Sequence, residues 1–169
     1  GANLIGANLI NADLRGANLT GVNLTNANLT NADLRDANLT NSNMSDSNLY
    51  GVTLRDANLF GANLERTFLR GANLTGANFY TVNLSEASLS EANLTAVNLY
   101  GANLTNADLT GSKLFLANLA LANLTGANLT DANLEGAVLT GAILTGAVLK
   151  GSILTDAVLT DANLADARR

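Results

Sequence analysis

The chain has 169 residues, of which 14 are acidic and nine are basic, and its formal net charge is −5. It contains no Cys, His or Pro, which excludes disulfides, thiolate nucleophiles, Cys- or His-based metal sites and histidine general bases. No segment approaches the ~18 consecutive apolar residues of a transmembrane helix, so we expect no membrane span.

The N-terminus lacks the basic and then apolar pattern of a signal peptide. A cytoplasmic location is therefore favoured, although a lumenal or exported location stays open if a leader has been removed.

The sequence repeats every five residues from Gly1 to Ala167. Leu occupies the fourth position of each unit, and only Met44 and Phe79 replace it. The second position is small, mostly Ala, and the third is mostly Asn or Asp. A period of five fits neither the 3.6-residue helix nor the two-residue alternation of a long strand. The second and fourth residues point the same way, which predicts a three-residue strand followed by a two-residue turn rich in Gly, Asn, Asp and Thr.

A longer spacing of 20 residues also appears along the chain. Arg15, Arg35 and Arg55 recur at this interval, and so do Phe60, Tyr80 and Tyr100. Four units with four corners would close one coil of 20 residues, and residues 20 apart would then stack at about 4.8 Å, the spacing between strands.

Units such as Ala12-Asp13-Leu14-Arg15-Gly16 and Ala27-Asn28-Leu29-Thr30-Asn31 resemble the A(D/N)LXX consensus of the pentapeptide repeat family. The resemblance covers the whole chain. It implies an all-β fold, a right-handed quadrilateral parallel β-helix with four pentapeptides per coil and about eight coils. We expect a single domain over residues 1–169. Since neither end shows the polar cap that a solenoid needs, we expect either that this domain is a fragment of a longer chain or that its ends are covered by self-association.

Charged residues in the first half form a stripe of mixed sign. Residues 1–84 carry six acidic and five basic side chains, and residues 85–169 carry eight and four. Asp13, Asp33 and Asp108 occupy the position usually held by Asn, so we interpret them as repeat residues and not as catalytic acids. The prediction is a protein that is not an enzyme and that binds no metal or cofactor.

Apolar residues break the outer polar pattern in the middle of the chain. Phe60, Tyr80 and Tyr100 form a predicted aromatic ladder, and Phe115, Leu116 and Leu121 extend it as an apolar strip. Exposed apolar patches often mark contact sites. Stacked aromatic side chains also stabilise neighbouring strands, and both interpretations stay open.

A second departure follows in five consecutive units, where a β-branched residue replaces the third-position Asn. We call these residues the belt: Val138, Ile143, Val148, Ile153 and Val158. Because β-branched residues favour strands, the belt is interpreted first as local reinforcement. The alternative is a docking collar for another chain or a membrane surface.

The sequence favours a non-catalytic structural or protein-interaction module with an unidentified protein partner, and end-to-end or side-by-side self-association is a further possibility. The resemblance to pentapeptide repeat proteins implies an alternative, a DNA mimic that binds DNA gyrase, but the mixed-sign stripe weakens it because such a mimic needs a dense acidic surface. A second alternative is ice binding by stacked Thr residues such as Thr105, Thr125 and Thr145. We expect no direct binding of nucleic acid.

Overall fold

The computed structural model describes residues 1–169 and contains no helix and no strand longer than one residue. Its regular elements are isolated parallel β-bridges between third-position residues, beginning with Asn3–Asn23 and ending with Val148–Arg168. Each bridge joins residues 20 positions apart. The predicted 20-residue spacing is therefore confirmed, and the chain is a coiled β solenoid.

The bridges fall into four columns, which we call sides 1 to 4. Their bridge residues are spaced by 20 and start at Asn3 (side 1), Asn8 (side 2), Asp13 (side 3) and Asn18 (side 4). A first-position residue forms the corner between consecutive sides. Every such residue from Gly6 to Asp166 has a positive φ, between 53° and 69°, where Gly, Asn and Asp are the least strained residues.

The predicted three-residue strands do not form, because only one residue on each side completes a bridge. Asn23, for example, donates its N–H to the carbonyl of Ala2 (2.9 Å) and accepts from the N–H of Leu4 (2.7 Å). The second residue of each unit instead closes a turn, as Ala27 does by donating to the Leu24 carbonyl at 2.9 Å. A side of five residues that includes a corner leaves no room for a longer ladder.

The third-position Asn completes the hydrogen bonding of the backbone. Four of the five N–H groups in a typical unit bond to backbone carbonyls. The fifth bonds to the side chain of the Asn two residues earlier: the N–H of Thr25 donates to Oδ1 of Asn23 at 3.1 Å. Asn and Asp are suited to this Asx turn because their side-chain oxygen reaches the backbone two residues on.

The core is a continuous stack of Leu and Ala side chains inside the coil. Leu residues from Leu24 to Leu139 are fully buried, and Met44 and Phe79 fill the same positions without exposure. Each buried large aliphatic side chain contributes roughly 1.5–3 kcal/mol, so the Leu positions dominate stability. Ser47 and Thr67 replace Ala in the core, and their hydroxyls donate to the carbonyls of Met44 and Leu64.

Candidate interaction surface

The aromatic ladder forms on side 4 as the sequence predicts. The ring centroids of Phe60 and Tyr80 are 5.5 Å apart with planes inclined by 10°, and those of Tyr80 and Tyr100 are 5.1 Å apart and inclined by 4°. Each ring thus stacks on the ring of the next coil. The middle ring has its faces covered by its neighbours, so the ladder offers mainly ring edges and hydroxyls to a ligand.

Leu116 and Leu121 occupy the two corners that border side 4 in the coil below Tyr100. They are 55% and 54% exposed. Both have positive φ angles, 56° and 57°, a conformation that costs roughly 1–2 kcal/mol for a residue other than Gly. Phe115 lies beyond the corner on side 3 and is only 37% exposed. The predicted strip therefore continues along side 4 through the two leucines, and Phe115 stands apart from it.

Each of these leucines lies over a glycine of the following coil. A Cβ built on Gly136 would approach Cδ2 of Leu116 to 2.8 Å, and one on Gly141 would approach Cδ2 of Leu121 to 2.7 Å. The glycines leave the space in which the leucine side chains rest. Both leucines are therefore directed along the rod toward the next coil of side 4.

The belt surrounds the solenoid, with Val138 and Val158 on side 4, Ile143 on side 1, Val148 on side 2 and Ile153 on side 3. None of these side chains can accept the fifth-position N–H of its unit. Five backbone N–H groups consequently have no acceptor within the chain: those of Thr140, Thr145, Lys150, Thr155 and Thr160. A hydrogen bond of this type stabilises by about 0.5–1.5 kcal/mol, which argues against reinforcement as the role of the belt.

Two ladders of Asn side chains connect coils above the belt. On side 4 each Nδ2 donates to Oδ1 of the preceding coil, from Asn118 through Asn98 and Asn78 to Asn58, at 3.0–3.2 Å. An equivalent ladder on side 1 runs from Asn103 to Asn43. Val138 follows Asn118 on side 4, so this hydrogen-bonded surface changes to an apolar one within a single coil.

Charge is absent from a continuous part of sides 1 and 4. Three stacked segments, residues 96–106, 116–126 and 136–146, contain no acidic or basic residue; we call their outer face the uncharged surface. Charged residues of the same coils lie on sides 2 and 3 or at their shared corner, as Asp108, Lys113, Asp131, Glu135 and Lys150 do. The uncharged surface includes five of the predicted site residues: Tyr100, Leu116, Leu121, Val138 and Ile143.

All ion pairs lie nearer the N-terminus, between residues 13 and 91. Arg15 donates through Nε and Nη2 to the carboxylate of Asp13 at 2.8 and 2.7 Å, and these hydrogen bonds lower the pKa of Asp13 to about 2. Arg35 lowers the pKa of Asp33 in the same way. An open depression nearby is lined by two acidic and two basic side chains, those of Asp13, Asp36, Arg15 and Arg35, so it offers no excess charge to an anion or a cation.

Arg66 makes the most connected ion pair of this region. It donates to both carboxylate oxygens of Asp46 in the coil above, at 2.8 and 2.9 Å, and also contacts Glu65. The pKa of Asp46 is lowered by this hydrogen bonding. Acidic side chains that are paired with Arg cannot present the free negative charge that a DNA mimic needs.

Sequence reasoning missed two exposed aromatic residues on side 2. Phe68 is 57% exposed and Tyr50 is 52% exposed. Phe68 stands at a third position, so it removes the acceptor for the N–H of Arg70, which has no partner in the chain. The rule that identified the belt, an apolar residue in place of Asn, would also have found Phe68.

The structure shows no group of three or more acidic side chains arranged to hold a metal ion. No helix is long and apolar enough to cross a membrane.

The model for pentapeptide repeats matches eight copies in the chain, over residues 1–36, 17–56, 54–90, 77–114, 117–156 and 142–168. The chain belongs to the pentapeptide repeat family. The resemblance predicted from the sequence is therefore confirmed.

Among solved structures, the chain is similar to HetL, a pentapeptide repeat protein involved in regulating heterocyst differentiation in the cyanobacterium Nostoc sp. strain PCC 7120. The two are 36% identical, with a TM-score of 0.76 over 98% of this chain and 84% of HetL. QnrB1, a plasmid-mediated fluoroquinolone resistance protein, is 18% identical with a TM-score of 0.48, over 90% of this chain and 89% of QnrB1.

A second Nostoc pentapeptide repeat protein, alr5209, is 32% identical with a TM-score of 0.33, over 57% of this chain and 69% of that protein. Among curated proteins, none matches the chain.

Proposed function

We propose that the chain is a non-catalytic module that binds another protein through the uncharged surface and the adjoining belt. The rod that carries this surface is a right-handed quadrilateral β-helix of about eight coils, formed by a single domain over residues 1–169. Parallel bridges at 20-residue spacing in four columns support this architecture, and so does membership of the pentapeptide repeat family.

The proposal is based on the belt, where exposed apolar side chains replace the Asn side chains that accept a backbone hydrogen bond elsewhere in the chain. Each belt residue leaves a backbone N–H without an acceptor, and Ile143, Ile153 and Val158 remain 41–48% exposed. An isolated rod gains less from such residues than from buried ones, since nearly half of the surface of Ile143, Ile153 and Val158 stays in contact with water. A partner that covers them would bury the apolar area and supply acceptors for the free N–H groups.

HetL is involved in the regulation of heterocyst differentiation, and regulation by a rod without catalytic groups would operate through binding to another macromolecule. The net charge of −5 disfavours nucleic acid as that macromolecule. Ice binding is also disfavoured, because Thr105 and Thr125 already donate their hydroxyls to Oδ1 of Asn103 and Asn123, at 2.6 and 2.7 Å.

Site-specific photo-crosslinking in cells that produce the protein tests this function. A benzophenone amino acid at Ile143 is expected to trap one defined protein, whereas the same probe at Ser90, on side 2, is expected to trap none. Equal trapping at both positions, or a single partner captured only at Ser90, would contradict the proposed surface.

A further inference from the structure

The two strained leucines on side 4 indicate a more specific contact within the proposed binding surface. Corners elsewhere in the chain are mostly Gly, Asn or Asp, which adopt positive φ at little cost. Leu116 and Leu121 are the only aliphatic residues larger than Ala at any corner. Both lie in one coil, border the same side and are more than half exposed, so the rod itself gains little from them.

The surface between the leucines carries no charge. Asn118 and Ala120 lie on side 4 in the same coil, with Tyr100 in the coil above. Because the leucines extend over Gly136 and Gly141, they flank Val138 and Thr140 of the coil below. We call this part of side 4 the saddle, with the exposed Leu116 and Leu121 as its two walls.

A free backbone donor lies in the floor of this saddle. In an ordinary unit the fifth-position N–H bonds to the outward-facing third-position side chain, as the N–H of Ala120 does to Asn118 Oδ1 at 3.2 Å. Val138 provides no such acceptor, so the N–H of Thr140 has no partner in the chain and faces the outer surface. A carbonyl group is the natural acceptor for it.

The chemistry of the saddle restricts what can occupy it. Any charged group placed there would lose water without gaining a partner, because residues 116–126 and 136–146 carry no charge. An extended peptide with aliphatic side chains would fill the space between the leucines, and one of its carbonyl oxygens would accept from Thr140.

We propose that the saddle formed by Leu116, Leu121, Val138 and Thr140 binds an uncharged, aliphatic, extended peptide segment of a partner protein. The inference rests on the proposed function, and it assigns the contact to one side of one coil.

The test uses the full chain, labelled with a fluorophore, on an array of seven-residue peptides composed of Ala, Leu and Ser with Asp or Lys introduced at each position. We expect binding to the uncharged peptides that contain Leu, and at least a tenfold weaker signal when Asp or Lys enters the central positions. Fluorescence anisotropy with the tightest peptide then compares variants of the rod.

The double variant L116N/L121N removes both walls and places a residue suited to positive φ at each corner. It is expected to bind the peptide at least tenfold more weakly, with a melting temperature no lower than that of the original chain. Val138→Asn, which restores the acceptor for the Thr140 N–H, is expected to weaken binding by a smaller factor. Phe68→Asn on side 2, which likewise replaces an exposed apolar third-position residue and supplies an acceptor for a free N–H, is the matched control and should bind as the original chain does.

Peptide binding that L116N/L121N leaves unchanged but Ile143→Asn abolishes would overturn the saddle and leave the proposed binding function intact. Absence of any peptide preference would also contradict peptide binding at the saddle. The crosslinking at Ile143 would then test the proposed protein-binding function independently. A concentration-dependent dimer in light scattering that L116N/L121N dissolves would identify a second copy as the occupant and contradict the peptide proposal.

Discussion

The charged stretch from Asp13 to Glu91 and the uncharged surface below it share one core and differ only in their outer residues. In the first region, Arg and carboxylate side chains pair with one another, and the Asn ladders that connect its coils continue below it only as far as Asn103 and Asn118. In the second, the outer residues are apolar or neutral, and backbone N–H groups are left free in the belt. Since each coil contacts only its neighbours, surface chemistry can change along the rod while the core stays constant.

The largest expected effect tests whether the core is equivalent in the two regions. Leu84→Asp and Leu124→Asp each place a carboxylate where the side chain is fully buried, and no partner is available to compensate the desolvation. We expect both variants to lose the native fold, as measured by circular dichroism and thermal unfolding. Asn83→Asp is the matched control, since Asp also accepts at the third position. A folded, soluble Leu124→Asp with an unfolded Leu84→Asp would show that the two cores differ.

A substitution on side 1 measures how much stability is lost when a third-position Asn is replaced by a β-branched residue, as in the belt. Asn63→Val removes the acceptor for the Glu65 N–H and two ladder bonds, to Asn43 and from Asn83. At about 0.5–1.5 kcal/mol per hydrogen bond, we expect the loss of three to lower the free energy of unfolding by about 1.5–4.5 kcal/mol. Chemical denaturation provides the measurement. An unchanged or higher stability would mean that a β-branched residue at this position reinforces the coil, as the sequence first suggested for the belt.

The aromatic ladder lies where the two regions meet, and its middle ring should matter most. Tyr80→Thr removes two stacked pairs, whereas Tyr100→Thr removes one. Each aromatic pair contributes about 0.5–1.5 kcal/mol, so the expected loss is about 1–3 kcal/mol for Tyr80 and about half of that for Tyr100. Equal losses measured by denaturation at the two positions would contradict stacking as the source of stability.

The smallest effect is a pH dependence confined to the charged region. The folded pKa of Asp13 is about 2, below its ordinary value of 3.8, and those of Asp33 and Asp46 are also lowered. A carboxyl group with a lowered folded pKa stabilises the protein above its unfolded pKa, and the contribution disappears as pH falls through the folded pKa.

The melting temperature should therefore decline between pH about 4 and about 2. The triple variant D13N/D33N/D46N should decline less over the same interval. Parallel curves for the two proteins would show that these ion pairs contribute nothing to stability.

Much of the fold was predictable because the five-residue period specifies inward and outward positions directly. Leu and Ala are inside, the 20-residue spacing joins the coils, and the aromatic ladder stacks as expected. The role of Asn was not predictable from the period, since it depends on which backbone N–H the coil leaves unpaired. That missing link also explains why the belt was first interpreted as reinforcement, whereas Phe68 could be found from the sequence as an apolar residue in place of Asn.

The strain at Leu116 and Leu121 was equally inaccessible from the sequence. Because both residues stand at the first position of a unit, the sequence indicated a turn at each. The strained backbone is shown only by their φ angles, and the position of their side chains only by the glycines of the next coil.

The central claim is that the belt serves binding and not the stability of the rod. It is tested most directly by the free energy of unfolding of a variant in which all five belt residues are replaced by Asn, at Val138, Ile143, Val148, Ile153 and Val158. Each Asn restores an acceptor for one free N–H, so this variant should be at least as stable as the original chain. A loss of more than about 2 kcal/mol, larger than one hydrogen bond contributes, would show that the belt is structural and contradict the account.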